Sequence, residues 1–253
     1  MKTPKKELVW NIQEFDEVDS TNDLLLDSSR KGAKQGMVIY ANSQKKGRGR
    51  FGRTWYSPKG DGLYFSYLLK PKLTKEKLHL LSLVFGLGVA EGLNEFSNMR
   101  NKTLALGLKW PNDIRIFKKK VGGILCEIEI DKENNPSVIV GIGINTNMIV
   151  NRGPENLQNI TTSLKNEGLG MIENKKLLYV LLEKQKELYN EFINFGFENI
   201  LVRWMSFCDS LGEEVFVKDR KIKGKIIKIN SKGHLIVKSD GGEMLEIFSS
   251  EII

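Results

Sequence analysis

The densest concentration of reactive side chains is Gly47-Arg48-Gly49-Arg50-Phe51-Gly52-Arg53-Thr54-Trp55, with Lys45 and Lys46 immediately before it. Arginine offers paired, coplanar N–H donors that match a carboxylate or a phosphate. Interleaved glycines let the backbone come close to such an anion. By letter, Gly47, Gly49 and Gly52 satisfy the dinucleotide-binding fingerprint, but that motif needs a helix directly after its glycines. Thr54 to Gly62 contains Pro58, Gly60 and Gly62 and cannot supply one. No Gly-Lys-Ser/Thr follows, so a Walker-type phosphate loop is excluded too. What remains is a basic loop, either a solvated surface or an anion clamp. Trp55 favours the clamp, because an indole beside such a loop can cover a planar ligand.

Three further segments carry chemistry-bearing types. In Lys109-Trp110-Pro111-Asn112-Asp113, Pro111 stops strand pairing and Asn112-Asp113 suits a tight turn, a sufficient reading by itself. Lys120-Val121-Gly122-Gly123-Ile124-Leu125 brings a lysine into a strand through a glycine pair. Gly141-Ile142-Gly143-Ile144-Asn145 is a strand stripped of side chains on one face. Alternating glycines weaken a strand. A ligand packed against bare backbone would offset that cost.

The elements that must position these groups follow from periodicity. Leu8 to Phe15 and Met37 to Ala41 read as strands, and Ser20 caps a helix through Leu24–Ser28 with Asp23 completing a capping-box pattern. Leu63 to Leu69 is too apolar throughout to have a solvated face. Thr74 opens a helix expected to run to about Phe96. Leu104–Lys109, Asp113–Phe117, Ile124–Ile130 and Val138–Ile144 are strands with short polar connections, including Glu133-Asn134-Asn135-Pro136, which favours an antiparallel or mixed meander over βαβ alternation. Leu177 to Ile193 shows an amphipathic helical stripe, and a shorter helix spans Ile200–Phe207. From Val215 onward, four short strands with turns read as a small all-β barrel that leans on the main domain.

The chain has 253 residues and a formal charge of +8, but the charge is focused. Gln44–Lys77 holds ten basic against two acidic residues, and Arg100–Lys120 seven against one. Such focusing suits a bound anion, whether a nucleic acid or one nucleotide triphosphate. Cys126 and Cys208 sit among apolar neighbours, and His79 and His234 are isolated, so neither a disulfide framework nor a zinc site is expected. No apolar run is long enough to span a bilayer, and Met1 to Glu7 lacks a signal-peptide pattern. A cytoplasmic protein is expected.

Taken in order, Asp19-Ser20-Thr21-Asn22-Asp23, Gly47 to Trp55, Lys109 to Asp113, Lys120 to Leu125 and Gly141 to Asn145 resemble the biotin–protein ligase family over Phe15 to Asn147. The resemblance implies an α+β fold: a mixed, mostly antiparallel sheet with helices on one side, similar to class II synthetases, then an SH3-like barrel. The catalytic domain would be 1–210 and the barrel 211–253. The single-function form is implied, since a strand near Leu8 leaves no room for an N-terminal helix-turn-helix. It also implies ATP and biotin as substrates, with Mg²⁺ held mainly by ATP phosphates and no protein metal ligand assigned.

By the same resemblance, Ser20, Thr21 and Gln44 hydrogen-bond the ureido ring of biotin, with Asn22, Gly47 and Gly49 in the same site. Arg48 and Arg50 hold its carboxylate and the adenylate phosphate, which Lys120 bridges. Gly123, Gly141 and Gly143 wall the thioether ring and chain, while Trp55 and Asn145 contact adenine. Lys109, Asn112 and Asp113 help place ATP, the metal or the incoming lysine. Lys120, Arg50, Lys109 and Asp113 form the expected catalytic set. Phe51 departs from the family, whose loop often has a further arginine there. The expected partner is the biotin carboxyl carrier protein of acetyl-CoA carboxylase or another biotin-dependent carboxylase. A homodimer is compatible with the resemblance, and neither sequence-specific DNA binding nor membrane association is expected. The rival readings are a lipoate–protein ligase, related in fold, and a basic nucleic-acid-binding protein.

Overall fold

The computed structural model describes Leu8–Phe248; the Met1 to Glu7 segment considered above lies outside the described residues. In β3 (Gly62–Leu69) every residue is buried, as the unbroken apolar run requires. A strand buried on both faces needs cover on both. Leu63, Phe65, Tyr67 and Leu69 enter the large core, whereas Leu68 joins a small second core with Leu25, Ile39 and Ile139.

The main sheet also contains β1 (Asn11–Val18), β2 (Met37–Gln44), β4 (Leu106–Lys109), β5 (Asp113–Ile116), β6 (Lys119–Ile130) and β7 (Pro136–Asn145). Its strand order is β1-β2-β3-β7-β6-β5-β4. Only the β1–β2 pair is parallel; the other neighbours are antiparallel, giving the mixed sheet expected. Pro136, expected in a turn, instead opens β7 opposite Ile130, at the ladder's end where a missing donor costs least.

Between the two cores lies a division of helices. α3 (Leu81–Asn98) and α5 (Asn174–Phe195) pack on each other over the large core. They approach so closely at Gly88 that an added Cβ would lie 2.8 Å from Gln185 Nε2. α6 (Glu198–Phe207) packs beside α3. The long helices thus lie on one side, as expected, while α1 (Thr21–Arg30) covers the opposite face through β2, β3 and β7.

The single helix expected from Thr74 is broken. α2 (Lys75–Leu78) stops at His79, and the chain tightens to i→i+3 bonds, Leu80 N–H to Lys77 O and Leu83 N–H to Leu80 O, before α3 begins. Another element without a sequence signal is α4 (Glu155–Gln158).

The C-terminal strands are β8 (Glu214–Val217), β9 (Ile222–Ile229), β10 (Leu235–Ser239) and β11 (Met244–Ile247), an antiparallel sheet in chain order. Val215, Val217, Ile226, Leu235 and Val237 merge with the large core, so this sheet leans on the main one as expected. Trp110 Nε1 donates to Gly233 O at 3.0 Å across the seam, and nearby the largely buried Arg115 guanidinium pairs with Asp209, in the segment between α6 and β8. Among the described residues, no helix is long and apolar enough to cross a membrane.

Candidate functional site

Strand register assembles the floor of the site. Gly143 pairs with Tyr64 on one side and Gly123 on the other; Gly141 pairs with Ser66 and Leu125. Paired residues share a face of the sheet. Phe65, Ile124 and Ile142 face the large core, so these glycines lie on the α1 face. The removed side chains leave room that other groups use. A Cβ on Gly141 would lie 2.0 Å from Asn22 Oδ1, and one on Gly143 2.5 Å from Trp55 Nε1. The result is a trough of bare backbone.

One wall is the N-terminus of α1. Ser20 caps it, its Oγ accepting the Asp23 N–H at 3.4 Å. Thr21 donates through N–H and Oγ1 to Gln44 Oε1, at 2.9 and 3.1 Å, and Gln44 Nε2 donates to Ser57 Oγ at 3.0 Å. Beneath them Ser66 Oγ lies 2.7 Å from Thr21 Oγ1 and 2.6 Å from Asn22 Oδ1. These are adjacent donors and acceptors on rigid elements, of the kind that orient a small polar ligand.

The second wall is the Arg/Gly segment, which is a short hairpin. Arg48 bridges Thr54 in antiparallel fashion, Trp55 N–H donates to Gly47 O at 2.8 Å, and Phe51 and Gly52 turn the chain with φ of 56° and 72°. Gly47 is pinched, since a Cβ there would meet Trp55 O at 2.4 Å. Arg50 reaches from the hairpin to Asn112, donating to Oδ1 at 3.3 Å, and Asn112 Nδ2 donates to Ile124 O at 2.9 Å. Next to Asn112, Asp113 Oδ1 meets Lys120 Nζ at 2.6 Å. Arg50 and Lys120 therefore land on neighbouring residues. Lys109 pairs with Asp113 across the β4–β5 ladder. Burial pushes the Arg50 and Lys109 pKa values below their ordinary ones, partly opposed in both by Asp113.

Trp55 lies over the trough. Its ring is within 3.4 Å of a Cβ position on Gly123 and 5.3 Å from Lys120 Nζ, and its Nε1 is buried without a hydrogen-bond partner. A cavity of about 540 Å³ opens beside it, lined by Gln44, Trp55 and Ser57 among others. A second, of about 240 Å³, is bordered by Arg50, Leu125, Cys126 and the seam residues Gly233 and Phe248. The Cys126 thiol is pushed up to about 12 by burial, so it is no nucleophile at neutral pH.

Residues 14–145 match the model of the biotin/lipoate A/B protein ligase family. The bifunctional ligase/repressor BirA of Bacillus subtilis is 30% identical over 239 residues, 94% of this chain and 72% of that protein. This chain belongs to the biotin/lipoate A/B protein ligase family. A solved biotin protein ligase from Aquifex aeolicus, in complex with biotin and ATP, superimposes with a TM-score of 0.82 and 36% identity over 96% of this chain and 97% of that one. The biotin–[acetyl-CoA-carboxylase] ligase of Paracoccus denitrificans is 26% identical over 90% of this chain and 94% of that protein.

Within this ligase fold, the structure gathers Ser20, Thr21, Asn22, Gln44, Gly123, Gly141 and Gly143 around one trough, with Arg50, Asn112, Asp113 and Lys120 beside it. Two other candidates are engaged differently. Arg48 turns to the carboxylates of Asp23 and Glu127, and Asn145 is buried with its Nδ2 donating to Thr162 O at 3.0 Å. Ser57, Ser66 and Glu127 were not foreseen. Ser66 had a visible signal, being the one non-aromatic polar residue within the apolar run of β3. Glu127 sits in a strand of alternating polarity and had none.

Proposed function

We propose that the chain forms biotinyl-5′-AMP from biotin and ATP and passes the biotin to a lysine of a biotin carboxyl carrier protein. The observation that carries this reading is the bare-backbone trough of Gly123, Gly141 and Gly143, ending where Arg50 and Lys120 converge on Asn112–Asp113. A fused bicyclic ring with a ureido group suits the trough and its Thr21–Gln44 wall, and the valeryl carboxylate then points to the cations.

Carboxylate attack on the α-phosphorus brings two anions together, so cations must neutralise both and hold them in line. Lys120, paired with Asp113 before substrate arrives, exchanges that partner for the substrate oxygens. The exchange frees Asp113 beside the acyl carbon, where it can accept or orient the protonated amine of the acceptor lysine. Arg50, held from the hairpin, binds the phosphate and keeps the hairpin closed over a mixed anhydride that water would otherwise hydrolyse. Trp55 leaves the trough and covers adenine, with Asn145 and Lys109 helping to place the nucleotide.

A Mg²⁺ ion would arrive on the nucleotide phosphates and neutralise part of their charge. The same reading takes 1–210 as the catalytic unit and 211–253 as an appended SH3-like barrel, a cytoplasmic setting, and association of two copies through the sheet.

The test is incubation with ATP, Mg²⁺ and biotin, without and then with a biotin carboxyl carrier protein, followed by mass spectrometry. Biotinyl-5′-AMP and a biotinylated carrier lysine are the expected products. Lipoyl-adenylate formed in preference from an equimolar mixture would transfer the reading to lipoate. Salt-sensitive DNA binding with no adenylate would overturn it.

A further inference from the structure

Glu127, on β6 two residues past Leu125, ties together three parts of the site through one carboxylate. Arg48 Nη1 donates to Oε1 at 2.8 Å and Nη2 to Oε2 at 2.7 Å, a bidentate fork. Asn22 Nδ2 donates to the same Oε2 at 2.7 Å. Arg48 Nη2 also reaches Asp23 Oδ1 at 2.6 Å. The sheet, the start of α1 and the Arg/Gly hairpin thus share one anchor at the solvent edge of the trough. A single point charge would not fix both planes; the fork geometry of guanidinium and carboxylate does.

We propose that Glu127 is a positioning residue, holding Arg48 against α1 so that the hairpin forms a fixed wall of the trough, while the substrate's anionic groups fall to Arg50 and Lys120. The proposal rests on the adenylating reading of the site. Its physical basis is charge compensation. Arg48, Arg50 and Arg53 crowd one short hairpin and repel one another, and two carboxylates on Arg48 remove part of that repulsion before any ligand arrives. Glu127 is the main reason that the Arg48 guanidinium is held above its ordinary pKa. An arginine already shared between two carboxylates is a poor receptor for a third anion. It is a good strut.

The test uses the full chain carrying Glu127→Gln, Glu127→Asp, Arg48→Met and the Glu127→Gln/Arg48→Met pair. Glutamine keeps an oxygen for Asn22 but loses the charge that holds Arg48. Trypsin cleavage of the ligand-free hairpin after Arg50 and Arg53 is expected to accelerate about tenfold in Glu127→Gln, because loss of charge-assisted hydrogen bonds raises local opening. In biotin-dependent pyrophosphate release, KM for biotin is expected to rise about tenfold with a smaller change in kcat. Glu127→Asp should recover part of both effects, and the double variant should be no worse than either single one. Thermal melting checks that the fold is retained. Unchanged cleavage and KM in Glu127→Gln, or additive effects in the double variant, would overturn the proposal. A wild-type protein that makes no biotinyl-adenylate would sink the functional reading instead, and the cleavage arm would still decide whether Glu127 pins the hairpin.

Discussion

Adding one methyl group to the trough, in Gly143→Ala, tests packing and function together. Its Cβ would stand 2.5 Å from Trp55 Nε1, 2.6 Å from Cε2 and 3.0 Å from Cζ2, so the rigid indole must move as a whole. Fully burying a large apolar side chain contributes about 1.5–3 kcal/mol, and over-packing costs about 1–3 kcal/mol. Trp55 is only half-buried, so about 1–2 kcal/mol of stability should be lost, the lower half of the over-packing range. For a protein of this size each kcal/mol lowers the melting temperature by about 2–4 °C. Thermal melting followed by circular dichroism measures it. Tryptophan emission, with Trp55→Phe as reference, should shift to the red as the indole becomes exposed; Trp110 and Trp204 are buried and Trp10 packs against the large core, so these three contribute a constant background. Biotin added to the wild-type protein should also change Trp55 emission, because ligand and indole compete for one floor. If Gly143→Ala melts with the wild type, keeps its emission and retains its KM for biotin, then Trp55 does not rest on the trough and the trough is not the biotin seat.

Lys120→Ala should lower single-turnover adenylate formation by about 10²–10³-fold, the scale of removing one electrostatic stabiliser; an unchanged rate removes Lys120 from the chemistry. Arg50→Gly breaks the tie to Asn112 and should speed loss of biotinyl-adenylate from the enzyme, measured by filter retention, and an unaltered release rate contradicts the closing role. Asp209→Ala strands the buried Arg115 cation of β5. Breaking such a pair costs about 3–5 kcal/mol, softened here because Glu213 lies 3.8 Å from Arg115 Nη2; urea unfolding should show about 2–3 kcal/mol, below that range. Asp131 caps the β6–β7 turn, its Oδ1 accepting the Asn135 and Glu133 N–H groups at 2.8 and 2.9 Å, chiefly the former lowering its carboxyl pKa from 3.8. A lowered folded-state pKa means stabilisation present above 3.8 and lost as pH falls through the lower value. The protection factors of the Glu133 and Asn135 amides, which remove the intrinsic pH dependence of exchange, should therefore fall in acid, and Asp131→Ala should abolish that fall.

What was legible in the sequence was what periodicity and local chemistry control. The apolar run of β3, the Ser20 cap and the stripe along α5 each encode their own structure, and the alternation of Gly141 and Gly143 announced a face without side chains. Long-range decisions were less visible. At the break, His79 Nε2 lies 2.8 Å from Lys232 O across 153 residues, a contact that no local helical signal reveals. The placement of α1 opposite the long helices follows from β3 being buried on both faces, a deduction available in principle from its composition. The partner of Arg48 was not legible, because an arginine in a basic loop advertises anion binding while the Glu127 carboxylate it bonds lies 79 positions away.

The same contrast explains how one hairpin can carry three arginines without being merely a repulsive surface. Arg48 is neutralised by protein carboxylates at the solvent edge, whereas Arg50 is drawn inward, where burial lowers its pKa and Asp113 opposes the loss of charge. Division of labour among like residues would then be set by what faces them: on the proposed reading a carboxylate fork makes a strut, and a half-buried position near Asp113 makes a receptor. On the proposed reading, an anion arriving between Arg50 and Lys120 meets one cation held through Asn112 and one carried by the sheet, and part of the ordering cost is met by folding rather than by binding. That is why the chemistry depends less on the number of basic residues in the segment than on which of them the fold leaves for the substrate.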